Sequence, residues 1–318
     1  MLKNLVVALL AAVLVSVSAQ AHAVEKDQGV YVKMAEGMKA DVGQTAAKVK
    51  QALTAAGYEV IADYGNGVPA GCNFKAATVV FTKPDYAAKI VAGGPDKAFG
   101  LPLRVGIYED EKGVNIAMVN PVSMNRSFFL NNSMDADGQS VVDGVKAALA
   151  SAGASKSAQM GQMRKDGEIR GIGGGKFPDK LVEAASSAKS IDDVASALAK
   201  GIASTTGWHS VYTYKPAANV AIVGITNTAK TEGRAFSIAG DARSGKSYKF
   251  PGIDHAAAFP VELVVYAKGG KTGVFIVDEM WRMKLYFEDA GMWAFMKNMS
   301  MPGEIQDEIE AAVKAALK

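Results

Sequence analysis

Leu101-Pro102-Leu103-Arg104-Val105-Gly106-Ile107-Tyr108 and Phe259-Pro260-Val261-Glu262-Leu263-Val264-Val265-Tyr266 carry one pattern at an offset of 158. Each opens on an apolar residue and a proline and closes on tyrosine. Leu103, Val105 and Ile107 alternate toward one face, as do Val261, Leu263 and Val265, so each stretch reads as a strand over a core. The gapless register extends outward, with Asp96 over Asp254, Val119 over Val277 and Phe129 over Phe287. Six identities in the 34 columns from Asp96 to Phe129 decide little alone. The order of elements on either side decides for duplication.

In the first copy, Val30 to Met34 reads as a strand, and Asp41 caps a helix whose stripe is Val42, Thr45, Val49 and Leu53, closed by Gly57. Strands follow at Tyr58–Tyr64, Ala77–Phe81, Leu101–Glu109 and Val114–Val119, then a helix from about Gln139 to Ala152. In the second copy, Ser190 with Asp193 forms a capping box. Ile191, Val194, Leu198 and Ile202 line that helix, and Gly207 ends it. Strands follow at Trp208–Tyr214, Val220–Ile225, Phe259–Ala267 and Thr272–Val277, and Pro302 opens a last helix. Ala150–Ser157 reads as a linker, Gln159–Ile172 as the first strand of copy two, and Gly171–Lys176 as a flexible loop. Each copy is α+β.

The 318 residues contain 35 Lys and Arg against 32 Asp and Glu, so no nucleic-acid footprint arises. One Cys and three His exclude a disulfide framework and a zinc site built from Cys and His alone. Lys3, the apolar run Leu5–Val17 and Ala21-His22-Ala23 form a secretory signal peptide. The run is too short for a membrane span of about 20 residues, and no later segment is apolar enough to cross a bilayer. The expected layout is therefore a signal peptide over 1–23, a first domain over 24–155 and a divergent second over 156–318. The mature chain is expected in the periplasm or outside the cell.

Val79-Val80-Phe81-Thr82-Lys83-Pro84, then Leu101-Pro102-Leu103-Arg104-Val105, Tyr108-Glu109-Asp110, Gly113 and Asn120-Pro121, resemble the family catalogued as domain of unknown function 302. Thr82-Lys83 stands where that family usually has Gly-Asn. The resemblance covers roughly 38–121, and copy two follows it in pattern only, through Phe259-Pro260-Val261 and Tyr266. It implies two tandem domains of the TATA-binding-protein type, each a curved antiparallel sheet with helices on one face. It implies no activity.

Several constellations bear on chemistry. Gly240-Asp241-Ala242-Arg243-Ser244-Gly245-Lys246-Ser247 matches a phosphate-binding loop, with Val274–Asp278 resembling its magnesium-binding strand. Pro251 and Gly252 leave no room for the helix that loop needs, which makes nucleotide binding the weakest alternative. Met292, Met296 and Met299 fall at helical spacing, with Met280, Met283 and Met301 nearby. Thioethers are soft ligands suited to copper(I), and they equally fill cores or partner faces. Cys72 is a reactive thiol or a small buried residue. His255 beside Asp254 is the better of the two mature histidines for a ligand site, because the carboxylate can orient the ring. Asp278-Glu279 and Glu109-Asp110-Glu111 read as solvated charge.

These features lead to a non-catalytic binding protein for a small molecule or a periplasmic protein, with a homodimer allowed and no obligatory cofactor. Cys72, Asp254 and His255 are its candidate ligand contacts. The alternative is a redox or copper-handling protein using Cys72 and Met292, Met296 and Met299.

Overall fold

The computed structural model describes residues 24–243 and 252–318. The signal-peptide reading over 1–23 and the second half of the Gly240–Ser247 motif lie outside them.

The first half runs β1 (Gln28–Met38), α1 (Val42–Ala55), β2 (Glu59–Gly65), β3 (Ala76–Thr82), α2 (Pro84–Ala92), β4 (Leu103–Asp110), β5 (Gly113–Val119), α3 (Pro121–Phe129) and α4 (Asp135–Ala148). Then follow β6 (Ala158–Arg164), β7 (Leu181–Ser187), α5 (Ile191–Ile202), β8 (His209–Ala217), β9 (Val220–Thr226), α6 (Arg234–Arg243), β10 (Val261–Lys268) and β11 (Lys271–Val277). Helices α7 (Glu279–Phe287), α8 (Met292–Lys297) and α9 (Ser300–Ala316) end the chain. The fold is α+β, with one sheet ordered β2-β3-β4-β5-β1-β6 and a second ordered β7-β11-β10-β9-β8. Every strand pairing is antiparallel.

Read from opposite ends, the two orders are the same topology, with β7 in the place of β1 and β8 to β11 in the places of β2 to β5. The bounds of β4 and β10, β5 and β11, and α3 and α7 all differ by 158. So do those of two short 3-10 turns, Pro95–Gly100 and Ile253–Ala258. Local signals set the shared helices: Asp41 accepts from the Gln44 N–H at the start of α1, and the Ser190 hydroxyl accepts from the Asp193 N–H at the start of α5.

Strand β6 departs from expectation. Its sequence reads as the first strand of copy two, yet it pairs with β1 and completes the first sheet. Alternation identifies a strand but not its neighbour, and the strand that takes the place of β1 in the second sheet is β7.

Both faces of β3, β4, β9 and β10 are buried over most of their length. Leu103, Val105 and Ile107 face the side covered by α1. Arg104, Gly106 and Tyr108 face the second half, where a Cβ on Gly106 would come within 2.9 Å of the Ala257 backbone nitrogen. The packing is reciprocal, β4 against 253–258 and β10 against 95–100, so the halves meet about a pseudo-twofold axis.

On that axis lies an ion pair between equivalent positions. Arg104 donates to Glu262, and the two side chains are 1% and 5% exposed. Arg104 also donates to the Tyr286 hydroxyl at 2.5 Å and to the Pro260 carbonyl at 3.4 Å. Glu232, fully buried between the halves, accepts from the Tyr64 hydroxyl at 2.9 Å, the Thr226 hydroxyl at 2.8 Å and the Gly67 N–H. Burial raises its pKa, partly offset by these donors.

Candidate functional site

Helix α7 begins where the sequence suggested solvated charge. Asp278 instead caps α7, accepting from the Trp281 N–H at 2.8 Å, and Glu279 is fully buried. Hairpin β10–β11 delivers the chain straight into a helix enclosed on nearly every side, which takes Glu279 out of solvent and leaves Asp278 half-buried. Burial pushes the Glu279 carboxyl up to about 7, Arg282 pulls it back, and Asp278 adds to the rise. Asp278 Oδ1 is engaged by that cap, and α6 runs through Gly240 to Arg243 where a phosphate loop would need a strand exit.

The outer surface of α7 forms the floor of a cavity of about 260 Å³. Met280, Lys284 and Glu288 come from α7 and its end, Met296 and Met299 from the α8–α9 region, and Arg170, Gly171 and Ile172 from the glycine-rich loop. That loop is a built wall. Gly175 donates to the Ile169 carbonyl at 2.6 Å, and the Trp281 indole donates to the Gly175 carbonyl at 2.9 Å. Gly173 has φ +72, and a Cβ there would come within 2.3 Å of Met280 Cγ, so only glycine lets loop and helix approach this closely.

Six large apolar side chains are exposed among the described residues: Leu130, Met163, Ile172, Trp293, Met296 and Met299. Three of them line this cavity, and Trp293 sits one helical turn before Met296, so the exposure is concentrated at one place. Two larger depressions, of about 460 Å³ beside α1 and about 410 Å³ beside Arg126, each carry a lining charge held in an ion pair. Asp63 holds Lys50 at 2.8 Å, and Arg126 holds Asp135 at 2.6 Å.

The sequence-derived candidates do not converge. Met296 and Met299 line the cavity, but on no single helix: α8 stops at Lys297 and α9 starts at Ser300. The Met292 side chain lies outside what the structure describes. Met280 joins instead, while Met283 and Met301 are buried and border a separate narrow recess. Cys72 is half-buried in the loop before β3, its thiol 3.6 Å from the Phe74 carbonyl oxygen.

His255 is fully buried at the junction of the halves. Its Nδ1 lies 3.1 Å from Asp254 and its Nε2 2.9 Å from Asp289, and it stacks on Phe287 with ring centroids 4.9 Å apart. Burial alone would lower its pKa, but the two carboxylates win and raise it to about 9. An imidazolium clamped this way is a structural cation at neutral pH rather than a general base. Asp254 is the neighbouring carboxylate read from sequence, and its Oδ1 is the atom 3.1 Å from Nδ1. Asp289, 34 residues away, carried no local signal.

Among the described residues, no group of three or more His, Cys, Asp or Glu side chains is placed to hold a metal ion, and no helix is long and apolar enough to cross a membrane.

Residues 34–152 match the family described as Domain of unknown function DUF302. That segment is a DUF302 domain. It contains all of the stretch that resembled the family in sequence and runs to the end of the turn after α4. Among solved structures, the crystal structure of uncharacterized conserved protein DUF302 from Bacillus stearothermophilus is 13% identical. It covers 38% of this chain and 94% of its own, with a TM-score of 0.31. No curated protein matches. The methionine-lined cavity, built from residues 170–299, lies wholly outside the DUF302 segment.

Proposed function

We propose that this is a non-catalytic binding protein of the periplasm, holding a small, largely apolar molecule in the cavity between α7, α8 and the glycine-rich loop. The observation that carries the reading is the gathering of Ile172, Met296 and Met299, all exposed, around one cavity. Exposed apolar area costs roughly 25 cal/mol per Å² relative to burial, and a ligand recovers that. Methionine suits such a role, because its unbranched thioether adapts to ligand shape. The apolar run and small-residue site within 1–23 support the periplasmic address.

The test is native mass spectrometry on residues 24–318 purified from the periplasm, with an apolar fluorescent dye as probe. An additional organic mass, or dye uptake lost in Ile172→Ser/Met296→Ser, is expected. A bare mass with no dye uptake would overturn the reading.

The presence of Met280, Met296 and Met299 in the lining of one cavity favours one second reading, a copper(I) site of thioethers. Replacing all three by leucine keeps volume and apolarity. Copper uptake by the natural chain that vanishes in the triple variant, with dye uptake intact, would establish that reading instead.

A further inference from the structure

The floor of the cavity carries more positive than negative charge. Glu288 is shared by two cations, with Arg164 Nη2 at 3.0 Å from one carboxylate oxygen and Lys284 Nζ at 3.5 Å from the other. The Arg164 and Lys284 side chains are only 6% and 10% exposed. Asp289, on the same turn, is engaged with His255 at 2.9 Å. Arg170, at the rim, is held by Asp166 at 2.8 Å, with Glu168 at 3.7 Å.

Arg164 spends further donors on the carbonyls of Lys284 at 2.8 Å and Leu285 at 3.1 Å. Lys284 donates to the Arg170 carbonyl. An ammonium has three donors, so the carbonyl and half of a shared carboxylate leave it under-coordinated for a group so buried. It lies against Gly171, where an added Cβ would come within 3.4 Å of Nζ, and both residues line the cavity.

We infer that the ligand is a small amphipathic carboxylate, its anionic group on Lys284 and its apolar body against Met280, Met296, Met299 and Ile172. The inference rests on the binding-protein reading above and deepens it. A ligand carboxylate would bring the Arg164–Glu288–Lys284 group to neutrality and use the spare donor in a charge-assisted hydrogen bond. The cavity of about 260 Å³ sets the size. At about 30 Å³ per water-sized atom it holds about nine non-hydrogen atoms, the scale of a seven- to eight-carbon acid. The flexible thioether walls tolerate variation in the apolar body, so selectivity resides in the head group.

The test is calorimetric titration of residues 24–318 with sodium octanoate and, separately, 1-octanol. Octanoate should bind at least tenfold more tightly. Lys284→Met should remove that advantage and leave octanol affinity unchanged. Glu288→Gln, which frees Lys284 from its competing carboxylate, should tighten octanoate at least threefold, and it tests the idea even if Lys284→Met fails to fold. Equal affinities for acid and alcohol in the natural chain would overturn the carboxylate inference and leave the apolar cavity standing. Failure of both ligands to bind would overturn the cavity reading with it.

Discussion

Replacing Arg104 by Met should be among the most damaging single changes in the molecule. The substitution keeps an unbranched apolar stem, removes the guanidinium from over the Tyr286 ring, and leaves Glu262, 5% exposed, without its cation. Breaking a buried ion pair from one side costs about 3–5 kcal/mol, because the remaining charge keeps its desolvation penalty. The Tyr286 hydroxyl loses a donor as well, adding about 1 kcal/mol. Glu262→Leu should cost a similar amount by stranding Arg104. The double variant Arg104→Met/Glu262→Leu removes both charges and should lie within about 2 kcal/mol of the natural protein. Urea unfolding followed by tryptophan emission, to which the fully buried Trp281 contributes, gives all four corners of the cycle. Single variants costing under about 1 kcal/mol, or a double variant costing the sum of the singles, would refute the claim that each charge is held in place by the other.

His255 has a folded pKa of about 9 against an ordinary 6.5. The imidazolium's contribution is therefore fully present below about pH 6.5 and is lost as pH rises through 9, a change of about 3 kcal/mol that His255→Gln should abolish. Urea midpoints flat across that window in the natural protein would contradict the clamp. Glu279 runs in the opposite sense to a paired carboxylate: its pKa is raised from 4.5 to about 7, so the folded state favours the protonated acid. Its effect is most favourable below about pH 4.5 and falls away by pH 7, by about 3 kcal/mol, and Glu279→Gln should be at least as stable as the natural protein at pH 8. A Glu279→Gln variant clearly less stable at pH 8 would show that the charged form is the one the fold needs.

The elements that sequence revealed are those whose signals are local and one-sided. Helices α1 and α5 show a capping side chain and a single apolar stripe, because each lies with one face on a sheet and the other in water; Gly57 stands two residues after the end of α1, whereas α5 ends at Ile202, five residues before Gly207. Helices α3 and α7 stay hidden for the converse reason. All residues from Pro121 to Phe128 are buried, as are Glu279 and Trp281 to Phe287, and a helix enclosed all round has no polar face to mark its period. The one available clue is the polar cap at each start, Asn120 before Pro121 and Asp278 before Glu279. The cavity is half visible. Met296 and Met299 stand out by spacing, whereas Met280, Lys284 and Glu288 lie on or just after α7, and the glycine loop that closes the wall is more than 100 residues upstream of it.

The position shared by Arg104 and Glu262 faces itself across the pseudo-twofold axis. In a dimer of identical chains, such a position must meet its own copy, and any charge placed there meets the same charge. A molecule carrying both halves on one chain can write different residues at the two ends of that contact. Identity of the two ends would confine such a site to neutral, self-complementary residues. The Arg104–Glu262 pair that fills it gives the two halves opposite charges in the contact between them.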